Sequence, residues 1–123
     1  MKSNTNELRT QLKSILRESC ANTCYQETKT PKEYPYVIFD LSEIQQSCGR
    51  TQYKLEVNCV CKNNTDAESL ADSIQDTLDH YSYMNEKIAF DIYRNQRNTV
   101  YEEDKTIKRR RLIFELYFYS REE

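Results

Sequence analysis

The chain has 123 residues, a formal net charge of −2, ten tyrosines and four phenylalanines, but only one glycine and one histidine. The length predicts a single domain over residues 1–123. One glycine excludes a glycine-rich phosphate-binding loop, and one histidine, His80, excludes a multi-histidine metal site or relay. We therefore expect a protein that is not an enzyme and that uses no cofactor.

The first element is a helix over residues 4–18, followed by a polar stretch in which Cys24 and Tyr25 begin a short strand. Residues 29–33 read as a connection. Four apolar side chains recur at helical spacing on one face of the helix, which is the pattern of a surface helix. These are Leu8, Leu12, Ile15 and Leu16.

Two strands follow. Residues 36–41 are a nearly continuous apolar run, which predicts a strand buried on both faces. Residues 42–51, with the only glycine at Gly49, are expected to form a turn region. Residues 52–62 alternate between apolar and polar side chains, which predicts a half-buried strand, with Val60 as the one exception.

Polar residues 63–66 precede a second helix, and Thr65 with Glu68 has the spacing of a capping box at its start. Its apolar residues lie three and four positions apart, as in a helix with one buried face. Beyond Tyr83 the period returns to two in two further strands. Their apolar residues are Ile88, Phe90 and Ile92, then Leu112, Phe114, Leu116 and Phe118.

The last two strands are expected to pair as an antiparallel hairpin with its turn near residues 102–104. This register sets Ile92 opposite Phe114 and Ile88 opposite Phe118. Neither strand has an apolar face between Arg94 and Arg110. About eight residues of each arm, roughly 25 Å, would then project past the core.

The predicted fold class is α+β, with two helices packed on one antiparallel or mixed sheet of four to five strands and a projecting C-terminal β-hairpin. No apolar run is long enough to cross a bilayer, and the N-terminus lacks the apolar centre of a signal peptide. We therefore expect no membrane contact, a cytoplasmic product, and reduced cysteines.

The cysteines permit two interpretations. Cys59 and Cys61 share one face of a strand, and Cys20 with Cys24 would share one face of a helix end, so a four-thiolate zinc site is conceivable. The favoured interpretation is that Cys59 and Cys61 continue a row of buried apolar side chains. For His80, at the end of the second helix, a capping role is favoured over catalysis.

A dense basic run lies on the last strand. Extended backbone sends Arg109 and Arg111 to one face and Lys108 and Arg110 to the other, an arrangement that can hold phosphates. Three acids at residues 102–104 cancel much of this charge, which favours a solvated hairpin or a protein contact. Arginine beside tyrosine is typical of protein interfaces.

The order and spacing of these segments resemble the small tail-completion or tail-terminator proteins of long-tailed bacteriophages and prophages. The resemblance covers most of the chain and is carried by a short N-terminal helix followed by four segments. The segments are residues 34–41 (YPYVIFDL), 53–57 (YKLEV), 70–74 (LADSI) and 109–116 (RRRLIFEL).

This resemblance implies a non-enzymatic virion protein at the head–tail junction, made in the cytoplasm of a bacterial host. Six copies would form a ring that ends the tail tube and meets the head-side connector, with DNA passing through its lumen without sequence readout. The expected contact with a neighbouring copy, the tail or the connector is the arm. Its candidate residues are Arg94, Arg97, Tyr101, Lys108, Arg109, Arg110 and Arg111.

Two alternatives stay open at this point. The first is a small nucleic-acid-binding module that uses the basic strand and exposed tyrosines for phosphate contacts and base stacking. The second, within the same biology, is a head-side connector or stopper subunit. The sequence predicts no metal site beyond the disfavoured thiolate cluster.

Overall fold

The computed structural model describes residues 4–25 and 33–120. The expected connection at residues 29–33 therefore lies, apart from its last residue, outside the described residues. Two helices and six strands follow one another along the chain. They are α1 (Asn4–Arg17), β1 (Thr23–Tyr25), β2 (Tyr36–Ser47), β3 (Arg50–Cys61), α2 (Asn64–Leu78), β4 (Tyr81–Met84), β5 (Ile88–Tyr101) and β6 (Lys108–Ser120).

The strands form one sheet in the order β1-β2-β3-β6-β5-β4. β1 pairs with β2 in parallel, and all other neighbours are antiparallel. The predicted α+β class with two helices on a mixed sheet is confirmed. The structure also has β1 where Cys24 and Tyr25 were expected to begin a short strand. The predicted number of strands was too low because β4 was not predicted, since its four residues carry little periodic signal.

Both helices pack on the same face of the sheet, which we call the helix-covered face. Leu8 and Leu12 of α1 and Ile74 of α2 are fully buried in the same core cluster as Leu55 and Phe114 of the sheet. Removing this apolar surface from water supplies the main driving force for folding, at about 25 cal/mol per Å². The apolar positions predicted for both helices and for β3, β5 and β6 are confirmed as core.

The other face of the sheet is the open face, on which neither described helix packs. One small apolar cluster lies there, formed by Cys24, Tyr36, Ile38 and Val60. It accounts for two features of the sequence. Residues 36–39 are buried on both faces, as predicted, and Val60 breaks the alternation of β3 because it belongs to this second cluster.

The region expected to be a turn at residues 42–51 is instead the end of a β-hairpin. β2 runs to Ser47 and β3 begins at Arg50, so only Cys48 and Gly49 form the turn. Both have positive φ, 46° and 79°, as a two-residue type I′ turn requires. The prediction was wrong because residues 42–50 are all exposed, and an exposed ladder leaves no apolar pattern.

The N-cap of helix α2 lies two residues before the predicted one. The Asn63 side chain accepts from the backbone N–H of Asp66 at 2.8 Å, and its amide donates to the Asp66 carboxylate at 2.8 Å. The cap is therefore the pair Asn63 and Asp66, not Thr65 and Glu68. Asn63 is an equally good cap residue by type, and the shift leaves Glu68 available to the sheet.

The predicted antiparallel hairpin of β5 and β6 is confirmed, but its register differs from the prediction by two residues. Ile92 lies opposite Leu116, and Ile88 lies opposite Ser120. The turn spans residues 102–107 and is longer than expected. The shift by an even number keeps the same side chains on the helix-covered face.

The hairpin does not project beyond the core, which corrects a second expectation. β6 is an interior strand that pairs with β3 along its whole length, from Arg50 opposite Tyr119 to Cys61 opposite Lys108. Its polar half is covered by α2, which contacts β6, β3 and β5. The apolar face is missing between Arg94 and Arg110 because charged side chains, not apolar ones, join α2 to this part of the sheet.

Candidate assembly surface

A β-bulge in β5 decides where the first of the predicted interface residues point. Arg94 lies opposite Phe114 and Gln96 opposite Ile113, so Asn95 is an extra residue without a partner. An extra residue reverses the alternation of side chains beyond it. Arg97 therefore reaches the helix-covered face, where the uninterrupted pattern would have placed Gln96.

Arg97 lies beneath α2 and is held there by three side chains. Its Nη1 donates to Oδ1 of Asp72 at 2.7 Å and to Oε1 of Gln75 at 3.3 Å, and its Nη2 donates to Oε2 of Glu68 at 3.0 Å. Its side chain is only 16% exposed. The guanidinium thus joins strand β5 to two turns of the helix.

Arg110 of β6, the strand next to β5, also joins the sheet to α2. It is 7% exposed, its Nε donates to Oε1 of Glu68, and its Nη2 donates to Oδ1 of Asn64 at 3.3 Å. Glu68 therefore binds two arginines at once, and the hydrogen bond from Arg110 lowers the pKa of the Glu68 carboxyl. Arg97 and Arg110 fasten α2 to the sheet, and their contact with another molecule stays a prediction.

The other two arginines point to the open face, as the alternation predicted. Arg109 forms an ion pair with Glu102, with Nε and Oε1 2.8 Å apart. Arg111 donates from Nε to Oδ1 of Asn98, which lies opposite it on β5, at 3.2 Å. The acids before the basic run therefore neutralise it partly by direct contact.

Three of the seven predicted residues keep accessible side chains with no side-chain ion pair or hydrogen bond among the described residues. Arg94 is exposed, and only its backbone N–H is bound, to Oδ1 of Asp79 at 3.0 Å. Tyr101 is 85% exposed, and Lys108 lies opposite it at the end of the hairpin. The seven residues therefore do not form one patch: the structure divides them between the two faces and the hairpin end.

The open face carries a row of aromatic contacts that was not predicted from the sequence. The rings of His80 and Tyr93 are 5.5 Å apart, those of Tyr93 and Tyr117 are 6.0 Å apart, and the Arg50 guanidinium lies 4.8 Å from the Tyr117 ring. We call these four residues the aromatic row. Tyrosine and arginine arranged in this way are the side chains that protein interfaces favour.

A sequence signal for this row exists. Tyr93 and Tyr117 fall on the positions of β5 and β6 that alternate with the buried residues, and Tyr119 continues the series. Arg50 carries no such signal, because residue 50 was expected to lie in a turn. The charges around the row are mixed: Lys54 and Glu56 approach to 3.9 Å on β3. Such a surface suits a protein partner better than a polyanion.

His80 ends α2 in a manner different from the expected one. The C-cap is Asp79, whose backbone N–H donates to the carbonyl of Gln75, and His80 follows with a φ of 63°. The His80 imidazole contacts the Asp79 carboxylate, with Nδ1 and Oδ1 3.0 Å apart, instead of the helix-end carbonyls. The same Asp79 oxygen binds the backbone N–H of Arg94, so the residue ties the helix end to the bulge.

Two of the cysteines, Cys59 and Cys61, are buried as the favoured interpretation predicted. Both lie in the core row of β3, and burial raises the pKa of Cys59 to about 12. Cys24 belongs to the cluster on the open face, and Cys48 lies exposed in the hairpin turn. Residues 4–25 and 33–120 contain no group of three or more potential metal ligands.

A cavity of about 400 Å³ lies between the end of α1 and the start of α2. Cys20 and Cys61 line it together with Tyr34, Asp66 and Leu70. Burial raises the pKa of both thiols, so they line the cavity as neutral groups at neutral pH.

Neither described helix has the length and apolar character that crossing a membrane requires.

Comparison with known proteins gives a relative by fold. No protein-family model matches the sequence, and no curated protein is significantly similar to it. A solved chain from the structure described as "Virion of native gene transfer agent (GTA) particle" has the same fold, with a TM-score of 0.66 and 12% sequence identity. The match covers 92% of this chain and 90% of that chain. The chain therefore shares its fold, over nearly its whole length, with a component of a virion particle.

Proposed function

We propose that the protein is a non-enzymatic structural subunit of a phage-type virion. It forms a ring that ends the tail tube and joins the tail to the head-side connector, and it is assembled in the bacterial cytoplasm. The observation that carries the proposal is the fold shared with a chain of the gene transfer agent virion, over 92% of this chain and 90% of that one. The resemblance of the segment order to tail-completion proteins points to the head–tail junction.

The surface chemistry supports assembly. Arginine and tyrosine side chains cross the open face in the aromatic row, and Tyr101 is 85% exposed at the hairpin end. Exposed tyrosines of this kind supply large contact area at a small cost in side-chain entropy. The mixed charge keeps the subunit soluble before it meets its partners.

The basic strand gives weaker support to the nucleic-acid-binding alternative. Arg97 and Arg110 each bind carboxylates of α2, and Arg109 binds Glu102. A guanidinium engaged with a carboxylate must lose that partner before it can bind a phosphate. In the proposed ring, DNA passes through the lumen without sequence readout.

Electron microscopy of particles made without the gene tests the proposal. We expect full heads without tails, together with tails of abnormal length, and restoration of joined particles by a plasmid copy. The variant Arg109→Glu/Arg111→Glu should fold normally but fail to restore joining, whereas Glu103→Gln, an exposed change in the turn, should restore it. Normal, joined particles in the absence of the gene would refute the proposal.

The same experiment separates the alternatives. Tails of normal length beside unjoined heads indicate a head-side connector or stopper subunit. Normal particles, combined with a salt-dependent gel shift of DNA by the purified protein, indicate the nucleic-acid-binding module.

A further inference from the structure

The two helices carry opposite charge in matching rows. In α1, Arg9, Lys13 and Arg17 occur at every fourth position, which places them along one flank. In α2, Glu68, Asp72 and Asp76 have the same spacing. Over their whole lengths α1 has three bases and one acid, and α2 has four acids and no base. We call the first set the basic row and the second the acidic row.

Each row is unfavourable in an isolated helix, because like charges four residues apart repel one another. Asp76 adds a second unfavourable term: it lies in the last turn of α2, where the helix dipole favours positive charge. An opposite charge set against either row would offset this repulsion.

Compensation within the chain is incomplete. Glu68 binds Arg97 and Arg110, and Asp72 binds Arg97, yet the Glu68 and Asp72 side chains stay 51% and 63% exposed. Lys13 and Arg17 have no ion-pair partner in the part of the chain that the structure describes. The basic row therefore lacks partners within the described residues. The carboxylates of the acidic row are accessible from solvent and are able to pair with it.

Among the described residues, no ion pair joins the two rows within one copy. Arg9 stacks on the ring of Tyr25, 4.6 Å away, and Tyr25 belongs to the edge strand β1. The acidic row contacts Arg97 of β5, next to the other edge strand. The two helical regions are close at one point, where the hydroxyls of Ser19 and Ser73 approach to 2.9 Å.

We propose that neighbouring copies of this chain associate head to tail through these rows, with the basic row of α1 in one copy against the acidic row of α2 in the next. Contact between two different patches of one chain is heterologous, and repetition of such a contact closes a ring when the rotation allows it. The inference rests on the proposed ring function and supplies the residues that join its subunits.

A charge exchange between two variants tests the contact. Lys13→Glu/Arg17→Glu replaces the basic row with acids, and Asp72→Lys/Asp76→Lys replaces the acidic row with bases. Since a like-charge interface costs several kcal/mol, each variant alone should show a rise of roughly 100-fold or more in the dissociation constant for self-association. Mixing the two restores complementary charge at every contact, so an alternating ring should form at 1:1 stoichiometry.

Sedimentation velocity and mass photometry at low and high salt measure the outcome, with circular dichroism as the check on folding. Because Asp72 also binds Arg97, the single variant Asp76→Lys serves as a second acidic-row change. The matched control for the basic-row variant is Lys62→Glu/Lys105→Glu, which makes the same change in net charge at residues outside both rows. We expect wild type and this control to form the same oligomer, weakened by salt.

The two failures are distinguishable. If the wild type forms a ring and both row variants form it equally well, the rows are not the interface, and the proposed ring function stands. If the row variants dissociate but their mixture does not reassemble, pairing between the rows is refuted. A wild-type chain that stays monomeric at every concentration overturns both this inference and the ring.

Discussion

The substitution Glu68→Gln tests whether charge, instead of apolar packing, holds α2 to the polar half of the sheet. Glu68 receives hydrogen bonds from both Arg110 and Arg97. Loss of the charged hydrogen bond to the buried Arg110 costs about 1.5–3 kcal/mol, and loss of the exposed pair with Arg97 costs about 0.2–1 kcal/mol. Because Glu68 is half exposed and Gln still accepts one bond, we expect a net loss of about 1.5 kcal/mol in the free energy of unfolding.

Urea unfolding followed by circular dichroism measures this loss, and thermal unfolding should show a fall in Tm of about 5 °C. Glu103→Gln is the matched control, since it removes the same charge from the exposed turn after β5. We expect the control to change stability by less than about 0.5 kcal/mol. A Glu68→Gln variant as stable as the control would refute the role assigned to the pair of arginines.

The pH dependence gives an independent reading of the same contact. The hydrogen bond from Arg110 lowers the pKa of Glu68 in the folded protein, so the folded state holds this proton less tightly than the unfolded state. Its stabilisation is complete above the unfolded pKa of Glu and disappears as the pH falls through the folded pKa. The difference between wild type and Glu68→Gln should therefore shrink on acidification from about pH 6 to pH 3.

Three further changes are predicted from the backbone and the thiols. Deletion of Asn95 should lower the Tm well below that of Asn95→Ala, because loss of the bulge turns Arg97 to the open face. Gly49→Ala should cost about 1 kcal/mol in thermal unfolding, since its φ of 79° is unfavourable for alanine even though no atom lies within 4 Å of the new Cβ. Iodoacetamide followed by mass spectrometry should label Cys48 in the native protein and Cys59 only after unfolding, because Cys59 is buried with a pKa of about 12.

The elements that could be predicted are those in which one face is apolar. Leu55 and Val57 in β3, and Phe114 and Leu116 in β6, alternate with polar residues because the helices cover one side of the sheet. That pattern is local, so it is visible without the structure. The same signal fails at residues 42–47, where both faces of the hairpin are exposed and backbone pairing alone defines the strand.

The candidate site was less predictable, because its geometry depends on contacts distant in sequence. Nothing near Arg97 indicates that a bulge will turn it towards α2, and nothing near Arg110 indicates that Glu68, 42 residues earlier, will bind it. The absence of an apolar face in these strand segments was therefore interpreted as an arm that projects past the core. The structure replaces the expected arm with a second kind of helix–sheet contact, made of arginines and carboxylates.

The interior position of β6 has a consequence for the order of events during synthesis. Among the described strands, β6 alone connects the β1-β2-β3 ladder with the β5-β4 ladder. Until residues 108–120 have been synthesised, the inner edges of β3 and β5 have no strand between them. We expect the sheet to close late, in one step, when this strand pairs with both β3 and β5, and a chain ended before residue 108 should be digested by protease much faster than the full chain.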